Sequence, residues 1–231
     1  MDRPILDADT VRLAGLIDHT ILKPDATQQD INRFCDEAIR YGFHSVCVNP
    51  IHVDLTASKL AGSGVSACSV VGFPFGATAA KSKAAEAADA ILNGAREIDM
   101  VIAIGALKDG RFKVVREDIE AVRAATKGSI LKVIIETSLL TDDEKRIACE
   151  LAQAAQADYV KTSTGYGGGG ATVADVALMR RVIGPSMGLK ASGGIRNRVD
   201  AEAMIKAGAT RIGASSSLAI IGQLPATAQG Y

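Results

Sequence analysis

Tryptophan is absent, and aromatic residues of every kind make up only 4% of the 231 residues. An interior with so few large rings has to be assembled from Val, Ile, Leu and Ala, and a hydrophobic content of 48% supplies enough of them for a sizeable core. There is no excess of charge of either sign, since 26 basic residues balance 26 acidic ones and the two are well mixed. Without a basic stripe, binding to nucleic acid or to a membrane surface is not expected. No apolar run approaches the ~20 residues that span a bilayer, and the start, Met1 to Asp7, lacks the apolar core of a signal peptide. Cysteine is scarce, and Cys35, Cys47, Cys68 and Cys149 show neither close pairing nor metal-like spacing. That argues against a disulfide framework and for a reduced, cytoplasmic setting. His19, His44 and His52 complete no ligand pattern with one another or with the cysteines, so neither a metal nor another cofactor is expected.

What is present is a regular alternation. Short runs rich in Val and Ile, near 15–19, 44–49, 66–72, 97–103, 130–137, 158–163, 187–192 and 210–214, read as strands. Amphipathic stretches near 28–41, 50–62, 79–94, 111–127, 142–156, 172–183 and 198–207, with a short one from about 216, read as helices. Asp25, Thr27, Thr141 and Thr172 can each cap a helix, and Thr141 to Glu144 has capping-box spacing. Eight such pairs with no linker between halves predict a single α/β domain, a (β/α)8 TIM barrel over residues 1–231. A short N-terminal segment and a flexible tail from about 223 complete it. A doubly wound open sheet would want a glycine fingerprint after the first strand, and His19 to Pro24 has none.

Lys161 and Lys190 lie inside two of the strand runs, 29 residues apart, and Lys132 precedes Lys161 by the same interval. A lone ammonium is costly in an apolar interior. A lysine with an ordinary pKa near 10.4 is neutral at pH 7 only about once in a few thousand molecules, and lowering that pKa to about 7 raises the neutral fraction by roughly three orders of magnitude. A neighbouring cation and partial loss of water act in that direction, and a neutral amine attacks carbonyls. Lys161 precedes a glycine-rich loop and is assigned as nucleophile, with Lys190 as the cation that activates it. Lys132 sits earlier in its strand and should lie deeper, near Glu136 or another carboxylate, as support. Asp99, between Ile98 and Met100, is placed either to shuttle protons or to pair with an interior lysine, and the two roles are compatible.

Ser192-Gly193-Gly194 and Gly213-Ala214-Ser215-Ser216-Ser217 end the last two strands, where barrels of this kind bind phosphate; tight turns that need glycine are the alternative. The loop from Gly165 to Gly170 is either a lid or a plain connection, and no Gly-Lys-Ser/Thr follows to make it a nucleotide-binding loop.

These segments resemble the deoxyribose-phosphate aldolase family. The resemblance is carried by Ile17-Asp18-His19-Thr20-Ile21-Leu22-Lys23-Pro24, Cys47-Val48-Asn49-Pro50, Val71-Gly72-Phe73-Pro74, Glu97-Ile98-Asp99-Met100-Val101, Lys132 to Thr137, Val160-Lys161-Thr162-Ser163-Thr164-Gly165 and Lys190 to Arg196, which span nearly the whole chain. It implies a class I aldolase without a metal, interconverting 2-deoxyribose 5-phosphate with acetaldehyde and glyceraldehyde 3-phosphate through a Schiff base. By position Lys161 matches the Schiff-base lysine, Lys190 the second lysine and Asp99 the proton relay. Gly193, Gly194, Ser215 and Ser216 match the phosphate site, and Thr164 and Asp18 are counted with the substrate-binding residues. Tyr231, as the last residue, is similar to the terminal tyrosine that assists proton transfer in some members. The sequence departs from the family at Ala103, where relatives often carry Asn, and Tyr166 stands where aromatic and basic residues alternate. Another Schiff-base aldolase of phosphorylated sugars and a non-catalytic sugar-phosphate-binding barrel remain the alternatives. A homo-oligomer is left open.

Overall fold

Alternating strand residues point to opposite faces, so each short strand here offers one face to a surrounding helix and the other to its fellow strands. The computed structural model, which describes residues 4–224, resolves this into eight parallel strands. They are β1 (Ile17–Ile21), β2 (Ser45–Val48), β3 (Ser66–Val71), β4 (Glu97–Val101), β5 (Ile130–Ile134), β6 (Tyr159–Lys161), β7 (Gly188–Ser192) and β8 (Arg211–Ala214). They pair in chain order, and β8 closes on β1 through Ile17 opposite Ile212 and Asp18 opposite Gly213. The expected TIM barrel is the fold.

The helices are α1 (Ala8–Ala14), α2 (Gln28–Tyr41), α3 (Val53–Leu60), α4 (Ala80–Leu92), α5 (Ile104–Lys108), α6 (Phe112–Ala125), α7 (Asp142–Ala154), α8 (Val173–Ile183), α9 (Arg198–Ala207) and α10 (Ser217–Ile220). Thr27 rather than Asp25 caps α2, and it forms a reciprocal box with Asp30; Thr141 does the same with Glu144, and Thr172 accepts from the Asp175 N–H. Each cap satisfies amides that the helix leaves open, at about 1 kcal/mol apiece. Two helices, α1 and α5, have no counterpart in the sequence reading. The expected strand 130–137 stops at Ile134, because Glu136 takes a left-handed backbone (φ 55°) that no strand accommodates.

The aliphatic core is an annulus. Ile17, Val46, Ile98, Met100, Val133, Leu189 and Ile212 face outward from the strands into the helices. The barrel interior is different, for Asp18, Glu97, Asp99, Lys132, Lys161, Lys190 and Arg211 are all buried there. No helix among the described residues is long and apolar enough to cross a membrane.

Candidate active site

Register places the charged residues at known heights. Lys161 is opposite Lys190 across β6 and β7, and Lys190 is opposite Arg211 on β8. Asp99 is opposite Lys132 across β4 and β5, while Lys161 is opposite Ile134, so Lys132 sits a full inward repeat below Lys161, as its earlier place in the strand suggested.

Asp99 is the hub. Its Oδ1 lies 2.7 Å from Lys132 Nζ, and its Oδ2 is shared by Lys161 Nζ at 2.9 Å and Lys190 Nζ at 2.7 Å. Lys190 Nζ has a second partner in Asp18 Oδ2 at 2.5 Å, and Lys132 Nζ has one in Glu97 Oε2 at 2.5 Å. Arg211 Nη1 joins Asp18 at 2.7 Å to Glu97 at 3.0 Å, and its Nη2 donates to the Tyr159 hydroxyl at 3.3 Å. Lys161 has only the shared Asp99 oxygen as an ionic partner among the described residues. Gly213 makes this crossing feasible, because a Cβ there would stand 2.8 Å from the Lys190 Cε.

Burial alone would push the Asp99 carboxyl up, but the ammonium groups of Lys132, Lys161 and Lys190 outweigh it and hold the group well below the usual carboxylate range. Asp18 is held down in the same way by Lys190, Lys132 and Arg211, and Glu97 is drawn to about 2, chiefly by Lys132 against its own burial. Burial would lower Lys190, yet Asp18 and Asp99 win and raise it above the ordinary lysine value. Lys132 is raised for the same reason by Asp99 and its neighbours. Lys132 therefore lies near carboxylates as expected, but these are Asp99 and Glu97.

Glu136 serves the loop above Lys161 instead. Its carboxylate accepts from the Thr164 N–H at 3.2 Å and from the Thr164 hydroxyl. Gly167 lies so close that a Cβ would fall 2.6 Å from the Glu136 carboxyl carbon. The glycine at 167 is thus needed for close approach, and this part of the loop is packed against the segment that follows β5. Ser163, two residues beyond Lys161, is buried with its Oγ lacking a hydrogen-bond partner among the described residues. Tyr166 donates to the Leu22 carbonyl at 3.0 Å and meets Phe73 edge-on at 5.6 Å, so this aromatic residue braces the rim.

Gly193, Gly194, Arg196, Gly213, Ser215 and Ser216 line a small pocket of about 20 Å³ at the carboxyl ends of β7 and β8. A wider cavity of about 430 Å³ adjoins it, lined by Thr20, Lys23, Arg33, Ser215 and Ser216 among others. Another surface cavity, about 630 Å³, lies at the opposite end of the barrel between Arg123, Lys127, Ser129 and Asp158, away from Lys161 and Lys190. Asp18 lies beneath the rim, its carboxylate shared among Lys190, Arg211 and Ser45. Tyr231 lies outside the described residues. Cys47, Cys68 and Asp99 approach closely enough to share a metal ion, but Asp99 already holds three ammonium groups and Lys132 Nζ is 3.4 Å from the Cys68 sulfur. A dication would face that concentrated positive charge, so this donor set does not suit one.

Glu97, Arg211 and Tyr159 belong to the cluster and were not singled out from sequence. A signal was available for two of them: Glu97 falls two residues before Asp99 and Arg211 two before Gly213, hence on the same inward faces.

The chain matches the family model described as DeoC/LacD family aldolase over residues 12–223. It is 56% identical over 215 residues to the deoxyribose-phosphate aldolase of Brevibacillus brevis, covering 93% of this chain and 97% of that one. To the enzyme of the same name from Rhodospirillum rubrum it is 59% identical over 218 residues, covering 94% and 92%. Among solved structures, the tetrameric deoxyribose phosphate aldolase of Aeropyrum pernix superimposes with a TM-score of 0.87 at 33% identity, covering 92% of this chain and 90% of that one.

Proposed function

We propose, since the chain belongs to the DeoC/LacD family of aldolases and is therefore a carbon–carbon lyase, that it cleaves 2-deoxyribose 5-phosphate reversibly to glyceraldehyde 3-phosphate and acetaldehyde through a Schiff base on Lys161. The observation that carries the choice of lysine is the uneven sharing of counterions. Four cations, Lys132, Lys161, Lys190 and Arg211, face three carboxylates, Asp18, Glu97 and Asp99. Lys132, Lys190 and Arg211 each reach at least two of these, and Lys161 reaches one that is already shared. In a cluster with one more cation than carboxylates, Lys161 is the amine least tied by ion pairs and therefore the one freest to bond a substrate.

The neutral amine attacks the C1 aldehyde of the open-chain sugar, and loss of water from the carbinolamine gives an iminium. The iminium draws the C2–C3 bonding electrons as the C3 hydroxyl loses its proton, releasing glyceraldehyde 3-phosphate and leaving an acetaldehyde enamine. Protonation at C2 and hydrolysis free acetaldehyde and the amine. Asp99 Oδ2 bridges Lys161 and Lys190 and, with water, relays the protons; Tyr231 is assigned to the enamine protonation. Lys190, kept charged by Asp18 and Asp99, is the cation assigned beside Lys161. In this role Asp18 works through Lys190 and not by touching substrate. Gly193, Gly194, Ser215 and Ser216 hold the phosphate with backbone N–H groups and hydroxyls, and Thr164, steadied by Glu136, faces the sugar.

Incubation with acetaldehyde and borohydride tests the reading. An ethyl group should appear on the peptide bearing Lys161 and vanish in Lys161→Ala. Labelling confined to Lys190, or no labelling with the wild-type protein, overturns it.

A further inference from the structure

Asp18 and Thr20 face the barrel interior, so His19 between them faces out, toward α2. Its ring stacks on Phe34 with centroids 4.1 Å apart and lies 4.9 Å from that of Phe43. Nε2 is 2.8 Å from Glu37 Oε2, and Nδ1 is 2.8 Å from Ser217 Oγ. Burial, against the pull of Glu37, keeps this imidazole less basic than an ordinary histidine. The Ser217 hydroxyl gives its one proton to the Ala214 carbonyl at 3.0 Å, so Nδ1–H donates to Ser217 Oγ, and Nε2 shares the remaining proton with the Glu37 carboxyl.

The order carboxylate, imidazole, hydroxyl is that of an activated serine nucleophile. Ser217 cannot serve as one here. It is fully buried, and the rim cavities reach Ser215 and Ser216 without reaching it. What Ser217 does touch is the backbone at the start of the Ala214–Ser217 turn. The Ser217–Ala214 contact closes that turn around the two residues proposed to hold phosphate, and His19 ties the closure to β1 and α2.

We infer that Glu37, His19 and Ser217 form a positioning device that holds Ser215 and Ser216 in their phosphate-binding arrangement. The inference rests on the phosphate site of the proposed function. None of the three residues touches substrate, and their effect is felt only by a ligand that carries a phosphate. The sequence marks His19 as polar at a strand end but cannot show that it faces away from the lysines.

Two readouts test this in the full-length protein: binding of inorganic phosphate, and cleavage of 2-deoxyribose 5-phosphate compared with unphosphorylated 2-deoxyribose. Ser217→Ala removes one hydroxyl with little change of shape. It should weaken inorganic phosphate and raise the KM for the phosphorylated sugar by about tenfold each, the worth of one well-placed hydrogen bond. The kcat/KM for 2-deoxyribose and acetaldehyde trapping on Lys161 should stay within about twofold. His19→Asn should do the same, Glu37→Gln less, and the His19→Asn/Ser217→Ala double variant no more than the worse single one, as residues of one chain are not additive. If His19→Asn also abolishes trapping, the ring is needed for folding and Ser217→Ala alone decides. Unchanged phosphate binding in Ser217→Ala overturns the inference, and so does an equal loss with both sugars. A wild-type protein that binds inorganic phosphate but cleaves neither sugar would instead sink the proposed reaction, leaving the phosphate arm of the test intact.

Discussion

The molecule buries lysines in two settings, and they behave in opposite ways. Inside the barrel, Lys132 and Lys190 each have at least two carboxylates and are held protonated more firmly than a free lysine. Outside it, between α4 and α6, Lys83 has one carboxylate partner among the described residues, Asp118 Oδ2 at 2.6 Å, and also donates to the Val101 carbonyl at 2.8 Å. There burial wins: it lowers Lys83 and raises Asp118, so both partners are pushed toward their neutral forms. The cost of removing water from an ammonium is similar in both places, and the number of anions in reach decides the outcome. Lys161 combines barrel-interior burial with a single, shared anion, so it has fewer anions in reach than Lys132 or Lys190.

Removing the amine at 161 should have the largest effect on activity and little on stability. Lys161→Met is expected to lower turnover by at least about three orders of magnitude. Its unfolding free energy should move by less than about 1 kcal/mol, because Asp99 keeps two other amines. A large loss of stability measured by urea titration would mean that Lys161 belongs with Lys132 and Lys190. Asp99→Asn should come next. It strips an anion from three cations at once and is expected to cost about 3–5 kcal/mol in the same titration. A near-neutral result would show that Asp18 and Glu97 suffice.

Acid should expose the interior cluster in a narrower way. Glu97 titrates at about 2 in the folded chain, and Asp18 and Asp99 also lie below their ordinary range. Carboxyls lowered on folding add stability that is complete above their unfolded values near pH 4 and is lost as pH falls through the folded ones. The raised Lys132 and Lys190 act conversely, adding stability below about pH 10 and losing it as pH rises beyond. Stability attributable to this cluster is therefore flat from about pH 5 to pH 9 and falls by a few kcal/mol between about pH 4 and pH 2. Thermal unfolding followed across that range checks it, and a cluster-dependent slope near neutrality, removed by Asp99→Asn, would contradict it.

The smallest effect belongs to the outer pair. Replacing both partners, Lys83→Met with Asp118→Leu, should leave stability within about 1 kcal/mol or raise it, with trapping on Lys161 unchanged. Lys83→Met alone, which leaves a buried carboxylate unpaired, should cost about 3–5 kcal/mol. If the double variant fails to fold, the outer pair is as indispensable as the inner cluster and the contrast between them collapses.

Much of this was legible in the residues. Thr141 and Glu144 announce their helix, and the 29-residue spacing from Lys132 to Lys161 to Lys190 places three amines on successive strands. What escaped reading was set by long-range contact. Glu136 looks like a partner for Lys132, yet its left-handed backbone turns it toward Thr164. The seven residues of α1 carry too short a pattern to separate from a loop, although Asp7 caps it by accepting from the Thr10 N–H. Arg211 reads as one more charged residue near a strand end until barrel closure brings it to Asp18.

The sequence by itself determined the order of strands and helices, the aliphatic shell between them and which strands carry lysine, because periodicity and capping are local properties of the chain. Only the tertiary structure decided which charge meets which. Alternation fixes the face of a strand but not its partner across the barrel, and closing β8 onto β1 is what puts Asp18, 172 positions before Lys190 in the chain, within 2.5 Å of it. The distinction between an amine kept charged and one left short of anions follows from that closure.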